Sequence, residues 1–401
     1  MTDLLDVRLG EIIVGKLTLL TGDRAFFAFE EVYLSDANRP ILSQSFFTQT
    51  GDLIPETRTI QTRLPPFFSN LLPEGHLRNY LAAKGSIKPS REFKLIELLG
   101  EDLPGAIIIK SVIGASALQE KEVEMQKSLE QAPYRFSLAG VQLKFSALAE
   151  STGGLTIPAN GIGGDWIIKL PSQNFAYVPE NEWSMLHLAR NVGISVPENK
   201  LIDIGEIKGL PDLGVLAGTK ALAVKRFDRG TSGKRIHIED FAQVYGVFPD
   251  DKYGKVSYTN IANMVWTLTG EEGLVDFVKR LVVTIFIGNG DMHLKNWSFL
   301  YLDGKTPELA PAYDFVSTIP YIPDDKLALS LSGTKEMTAI DITHFKKLAT
   351  KAFVPEFLTV KTVKETIEAV REVWSEKQKG YPLPKEILTR INQHIKRLKL
   401  V

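Results

Sequence analysis

The stretch GNGDMHLKNWSFL, Gly288 to Leu300, places an acid, an imidazole, an ammonium and an amide within six residues and then returns to apolar residues. A core has no need of such polar variety. Alone, the stretch allows three readings. Asp291 and His293 could ligate a metal in a hydrolase, although the chain holds only six His, widely scattered. Asp291 could instead cap a polar loop behind a buried helix. The third reading uses the interval from Asp291 to Asn296, which is the D-x-x-x-x-N of a kinase catalytic loop. There the Asp accepts a hydroxyl proton, the Asn holds Mg²⁺, and Lys295 adds positive charge for a transferring phosphoryl group. The order departs from H-R-D, since His293 follows the acid.

Working outward, the neighbours favour the third reading. WSFLYLDGKTPELAPAYDF (Trp297 to Phe315) reads as strand, DG turn and strand, then Asp314 as a second metal-binding acid. Upstream, DWIIKLP sets Lys169 mid-strand among apolar residues, where an ammonium is costly without an anion to meet. Glu182, early in the helical ENEWSMLHLARNVG, offers that anion as a Lys–Glu pair between strand and helix. FSLAGVQLKFSAL should cover the phosphates. It has one glycine, Gly140, but the amides of Ala139 to Gln142 could form an anion-binding nest helped by Lys144.

The 401 residues imply two to three domains, and the net charge of −1 argues against general capture of nucleic acid or anionic membrane. With no cysteine, disulfides and thiol chemistry are excluded. The amino terminus lacks a secretory pattern and LVVTIFIG (Leu281 to Gly288) is too short to span a bilayer, so a cytoplasmic protein with no membrane role is expected. Residues 1 to roughly 60 alternate like antiparallel hairpins. GEIIVGKL imitates a phosphate-binding GxxxxGK[ST] loop, but Leu17 replaces the required hydroxyl. Helical spacing follows from Leu64, with Ser90 as cap and Gly100 as stop for SREFKLIELLG. The charged segment Ala115 to Pro133 marks a linker or exposed helix. Beyond it comes a strand-rich region, then a mainly helical one after Arg229. The expected units are 1–112, an amino-terminal β/α subdomain; 113–228, a β-rich lobe; and 229–401, a helical lobe.

FFSNLLPEG, LIELLGEDLPGAI, SLAGVQLK, IIKLP, AVKRFDR, EDFAQVYG, GNGDMHLKN and PAYDF, in that order, resemble the HipA-like serine/threonine kinase family, the toxin half of bacterial HipA–HipB modules. The likeness covers nearly the whole chain. It implies an α+β, two-lobed protein-kinase-like fold with a β-rich amino-terminal subdomain and a mainly helical C-lobe, using ATP and Mg²⁺. It assigns catalysis to Asp291 with Lys295, and metal coordination to Asn296 and Asp314. Nucleotide contacts would come from Ala139, Gly140, Val141, Gln142, Leu143 and Lys144. Lys169 with Glu182, and the hinge residues Lys225, Arg226 and Phe227, would add theirs. His293, Asn296, Tyr313 and Asp314 would complete the pocket. Ser137 would be an autophosphorylation site that switches the enzyme off, because a dianion in a phosphate-cradling loop repels ATP. The resemblance further implies a HipB-like HTH antitoxin, contact with DNA only through that partner, and a translation factor of the aminoacyl-tRNA synthetase class as substrate. Met292 stands where family members carry glycine, Lys225 where they carry an acid, and DDKYGKVSYTN lacks their Gly-rich activation loop. Two other functions fit the same residues: a catalytically silent nucleotide-binding scaffold acting with an HTH partner, and a kinase of a small molecule.

Overall fold

A computed structural model describes residues 3–112, 144–149, 155–156, 164–210 and 215–401. Three sheets and three apolar clusters organise them. The first sheet is formed by β1 (Asp3–Leu9), β2 (Ile12–Leu20), β3 (Arg24–Phe29), β4 (Ile60–Gln61) and β5 (Ile107–Ser111), in the order β4-β3-β2-β1-β5. Alternation sets one face inward: Leu5, Val7 and Leu9 of β1 are buried, as are Phe27 and Phe29 of β3. Phe67 and Phe68, on the short helix Pro66–Ser69, close over that face against Phe46 and Phe27. The helix Glu92–Leu99 starts at Arg91 with no side-chain cap, so Ser90 does not take the capping role expected of it. Its stop is as expected: Gly100 ends the helix, and a Cβ there would lie 2.3 Å from the Ile109 carbonyl oxygen.

The second sheet runs β10-β7-β6-β8-β11-β9, comprising β6 (Lys144–Ala149), β7 (Leu155–Thr156), β8 (Trp166–Lys169), β9 (Asn199–Asp203), β10 (Ile207–Lys208) and β11 (Lys220–Lys225). On β8, Trp166 and Ile168 point into the small cluster beneath this sheet, so the pleat turns Lys169 to the other face. Register places Lys169 opposite Lys144 on one side and Leu222 on the other. The helix Val178–Asn191 buries Met185, Leu186 and Leu188 in the large cluster shared with the carboxy-terminal helices.

Beyond Arg229 the chain is less purely helical than its sequence texture implies. β12 (His237–Asp240), β13 (Ser298–Tyr301) and β14 (Glu308–Leu309) form a third antiparallel sheet. Behind it lies the helix Tyr258–Ile287, broken at Gly270, whose φ of +66° and ψ of −147° no helix contains. From Leu274 to Ile287 this helix is apolar nearly all round and almost wholly buried, which a helix tolerates only inside a core. Among the described residues no helix is long and apolar enough to cross a membrane.

Gly288 ends that helix in the left-handed region (φ +68°, ψ +51°), and the Asn289 amide donates back to the Thr284 carbonyl at 3.0 Å. A Cβ at Gly288 would lie 2.3 Å from Ile319 Cγ1. Gly288→Ala therefore combines a strained φ with an overpacked site and should destabilise the fold by about 2–4 kcal/mol. Gly51→Ala, also at positive φ but with open space around it, should lose only about 1 kcal/mol. Urea unfolding of the two variants checks the difference.

Candidate active site

Three elements bring their charges to one point. Lys169, the last residue of β8, is buried and makes an ion pair with Glu182 and a second with Asp314. Glu182 comes from the helix Val178–Asn191, whose neighbouring Asn181 exchanges hydrogen bonds with the Ser317 backbone, donating at 2.8 Å and accepting at 3.1 Å. That exchange ties the helix to the segment that follows Asp314. Asp314 itself adopts φ +54°, a conformation uncommon outside glycine and a mark of a backbone held by its surroundings. Lys144 of β6 approaches the same carboxylate at 3.0 Å. Burial opposes the Lys169 ammonium, but Asp314 and Glu182 outweigh it and hold its pKa above the usual lysine value. Burial likewise opposes the Asp314 carboxylate, yet Lys144 and Lys169 keep it far below the carboxylate range. Glu182 is pushed up by burial, with Lys169 opposing.

The loop after Gly288 is fastened on both sides. Asn289 is fully buried; its Oδ1 accepts from the Asp291 amide at 2.9 Å and its Nδ2 reaches the Asp314 carbonyl at 3.4 Å. This one side chain links the backbones of Asp291 and Asp314. The Gly290 amide donates to Thr318 Oγ1 at 2.8 Å, and Thr318 donates to Asp325 at 2.6 Å. A Cβ on Gly290 would lie 2.0 Å from that Asp325 carboxylate, so a larger residue there would require the Asp325 side chain to move. Asn296 donates its amide to the Asp291 carbonyl at 2.8 Å. Its Oδ1 is thereby a hard oxygen donor of known orientation, and with the Asp314 carboxylate it belongs to the ligand class that Mg²⁺ takes. The residues fit the metal that a kinase site needs.

Asp291 keeps its carboxylate about half exposed (52%), with the Tyr253 hydroxyl donating to it at 2.7 Å and His293 Nε2 at 4.0 Å. Burial lowers the His293 pKa to about 4, so the ring is neutral near pH 7, and its Nδ1 makes no hydrogen bond. Tyr313 is partly buried, donates to the Lys295 carbonyl at 2.9 Å, and has the Phe227 ring 5.7 Å away.

Other residues expected at the site sit differently. Lys295 does not extend toward a phosphate: its ammonium lies 2.8 Å from Glu74 and donates to the Asn70 carbonyl at 3.0 Å, both in the amino-terminal subdomain. Lys225 is exposed and pairs with Glu198 at 3.3 Å. Arg226 is buried and forked onto Asp228 at 2.7 and 2.9 Å. Both side chains are thus engaged by carboxylates of the protein itself. Their amides are engaged as well, with the Glu198 carbonyl at 2.8 Å and the Asp165 carbonyl at 2.7 Å. Ser137 and Ala139 to Leu143 lie outside the described residues, as does the Ala115–Pro133 segment. Asn289, Tyr253 and Glu74 were not singled out by the sequence. For Asn289 a signal existed, since the motif GNGD itself contains it.

Comparison with known proteins adds to this geometry. Residues 5–110 match the HipA N-terminal domain and residues 136–375 the HipA-like C-terminal domain. A Sinorhizobium fredii protein named "Putative kinase Y4dM" is 49% identical over 97% of this chain and 96% of its own. The serine/threonine-protein kinase toxin HipA of Shewanella oneidensis is 24% identical over 79% of this chain and 76% of its own. A solved chain from the Shewanella oneidensis HipA, HipB and operator DNA complex superposes with a TM-score of 0.74 at 20% identity, covering 98% of this chain and 95% of that one. The fold is the two-lobed, kinase-like one.

The buried triad makes a testable demand on stability. Lys169→Met leaves two carboxylates without their shared cation, and should cost about 3–5 kcal/mol at pH 7. A carboxyl whose folded pKa is raised destabilises above its unfolded value, so protonation of Glu182 should shrink the loss as pH falls toward about 4.5. Adding Glu182→Gln should recover part of it at pH 7. Urea unfolding at pH 5 and pH 7 checks both.

Proposed function

The chain belongs to the HipA family of kinases, and from that premise we propose that it is an ATP- and Mg²⁺-dependent serine/threonine-protein kinase. The observation that carries the reading is the buried Lys169 ammonium held between Glu182 and Asp314. A lysine kept charged in this way is a fixed cation, the kind of group that phosphoryl transfer needs for the nucleotide phosphates. Glu182 orients it, and Asn181 orients Glu182. Asn296 Oδ1 and the Asp314 carboxylate would hold the metal. Magnesium, when bound, offsets charge on the phosphate oxygens. Asp291, half exposed, accepts the proton of the acceptor hydroxyl, and Asn289 keeps its backbone in place. Neutral His293 packs edge-on to Tyr253, ring centroids 4.9 Å apart, and braces the loop. The low barrier comes from positioning and electrostatics, with little covalent work for the protein.

The finer parts of the reading follow from family membership. We infer a toxin that phosphorylates a translation factor of the aminoacyl-tRNA synthetase class and silences itself by phosphorylation at Ser137. An HTH antitoxin partner fits the HipA, HipB and operator DNA complex to which the fold is similar. Contact with DNA would run through that partner.

Incubation with ATP, Mg²⁺ and cell lysate, followed by phosphosite mapping, tests the reading. Wild type should label Ser137 and an acceptor protein. Asp291→Asn should lower the rate by about 10²–10⁴-fold while leaving ATP binding intact. Full phosphotransfer by Asp291→Asn would remove the base assignment. Binding of Mg-ATP with no transfer would make the chain a nucleotide-binding scaffold, and label found only on metabolites would make it a small-molecule kinase.

A further inference from the structure

FFSNLLPEG, in the amino-terminal subdomain, has no part in the mechanism above, yet its single acid, Glu74, reaches the loop of Asp291. Glu74 precedes the helix Gly75–Lys84 at the N-cap position, where a carboxylate ordinarily accepts from the first helical amides. It makes no such cap. Instead Oε2 lies 2.6 Å from the Lys252 ammonium and Oε1 lies 2.8 Å from the Lys295 ammonium. The two cations pull its pKa down to about 2 against the opposing effect of burial.

Both lysines border the base. Lys295 lies in the short turn between Asp291 and β13, and its carbonyl accepts from Tyr313. Lys252 immediately precedes Tyr253, whose hydroxyl donates to Asp291 at 2.7 Å, and the Lys252 carbonyl accepts from the Leu294 amide at 3.4 Å. The same motif adds two more links: the Asn70 carbonyl accepts from Lys295 at 3.0 Å, and Asn70 Nδ2 donates to the Val247 carbonyl at 2.7 Å. Without Glu74 the Lys295 ammonium would retain one nearby carboxylate, Asp240 at 3.9 Å, and Lys252 would lose its ion-pair partner. Two like charges would then lie close together without the carboxylate that now sits between them.

We propose that Glu74 is a positioning residue for phosphoryl transfer, by which the amino-terminal subdomain clamps the two segments that hold the Asp291 base. The inference rests on the kinase reading above. Glu74 touches neither nucleotide nor acceptor; it acts by holding Lys295 on one side of Asp291 and the Lys252–Tyr253 pair on the other. Displacement of a catalytic group by about 1 Å from a distant change is enough to cost about 10²-fold in rate. Loss of the clamp should therefore appear in turnover and leave ATP affinity unchanged.

The test uses the full chain, with Mg²⁺-dependent transfer from γ-labelled ATP into the chain itself as the rate, and a fluorescent ATP analogue for affinity. Glu74→Gln should lower the rate by about 10–100-fold with nucleotide affinity within about twofold of wild type. Glu74→Asp, which keeps the charge, should recover part of the rate. Lys252→Met combined with Glu74→Gln should fall short of the product of the two single losses, because both remove one link. Asp291→Asn serves as the inactive control. If wild type is active, Asp291→Asn is dead and Glu74→Gln retains the wild-type rate, the inference is overturned and the kinase reading stands. A Glu74→Gln loss matched by equal loss of nucleotide affinity and folding would also overturn it, by making the role structural. If wild type transfers no phosphate at all, the kinase reading fails and takes the inference with it.

Discussion

An ammonium taken out of water costs several kcal/mol unless anions meet it, and Lys169 is met by two, from separate elements of the chain. Glu182 arrives on a helix packed with the carboxy-terminal lobe, Asp314 on a turn beyond the third sheet, and Lys169 on the second sheet. The three positions are close only if the lobes are correctly placed. The strained φ of Asp314, the Asn181–Ser317 exchange and the Asn289 bridge to Asp291 all serve that one convergence. Catalytic geometry and lobe arrangement are here the same constraint.

The amino-terminal subdomain is joined to the rest by polar junctions as well as by packing. Asp228 accepts from Arg226, Arg229 and the Gly105 amide, while Asp102 meets Arg229 at 3.0 Å. Glu239, fully buried, accepts from Ser43, the Gln44 amide and Tyr301; burial nonetheless raises its pKa to about 7. Glu74 forms the third junction, beside the catalytic loop. Buried polar contacts of this kind contribute little net stability, but they penalise any misplacement strongly, because a broken one leaves an unpaired charge. Apolar faces alone would tolerate sliding. The junctions define one docking geometry, and Arg226 takes part in them through Asp228 and Asp102.

Much of the site was legible because its parts lie on local elements with strong signals. The Asp291–Asn296 interval lies within one loop, and Lys169 stands out in a short apolar run, although it ends the strand where a mid-strand place was expected. The hairpins of the first sheet follow from period-two patterning, and the buried half of Tyr258–Ile287 from its apolar run. Boundaries were less legible. Ser90 has the chemistry of a cap, but the helix begins one residue later and leaves Arg91 at that position uncapped. β12 escaped notice because four residues carry little pattern, and its pairing with β13 spans some sixty positions of chain.

Charge partners show the same division most clearly. Residue type and spacing along the chain determined that Lys169 needed an anion and that Asp291, Asn296 and Asp314 could serve phosphoryl transfer. Apart from the Lys169–Glu182 pair, which the sequence already offered, the anion each cation meets was decided by tertiary structure. Lys295 lies one residue from Asn296, yet its ammonium goes to Glu74, more than two hundred positions away in sequence. Lys252 meets the same carboxylate, and Tyr253 meets Asp291. The physical reason is range: backbone patterning acts over a few residues, whereas an ion pair depends on distance in space, which only the packed lobes set.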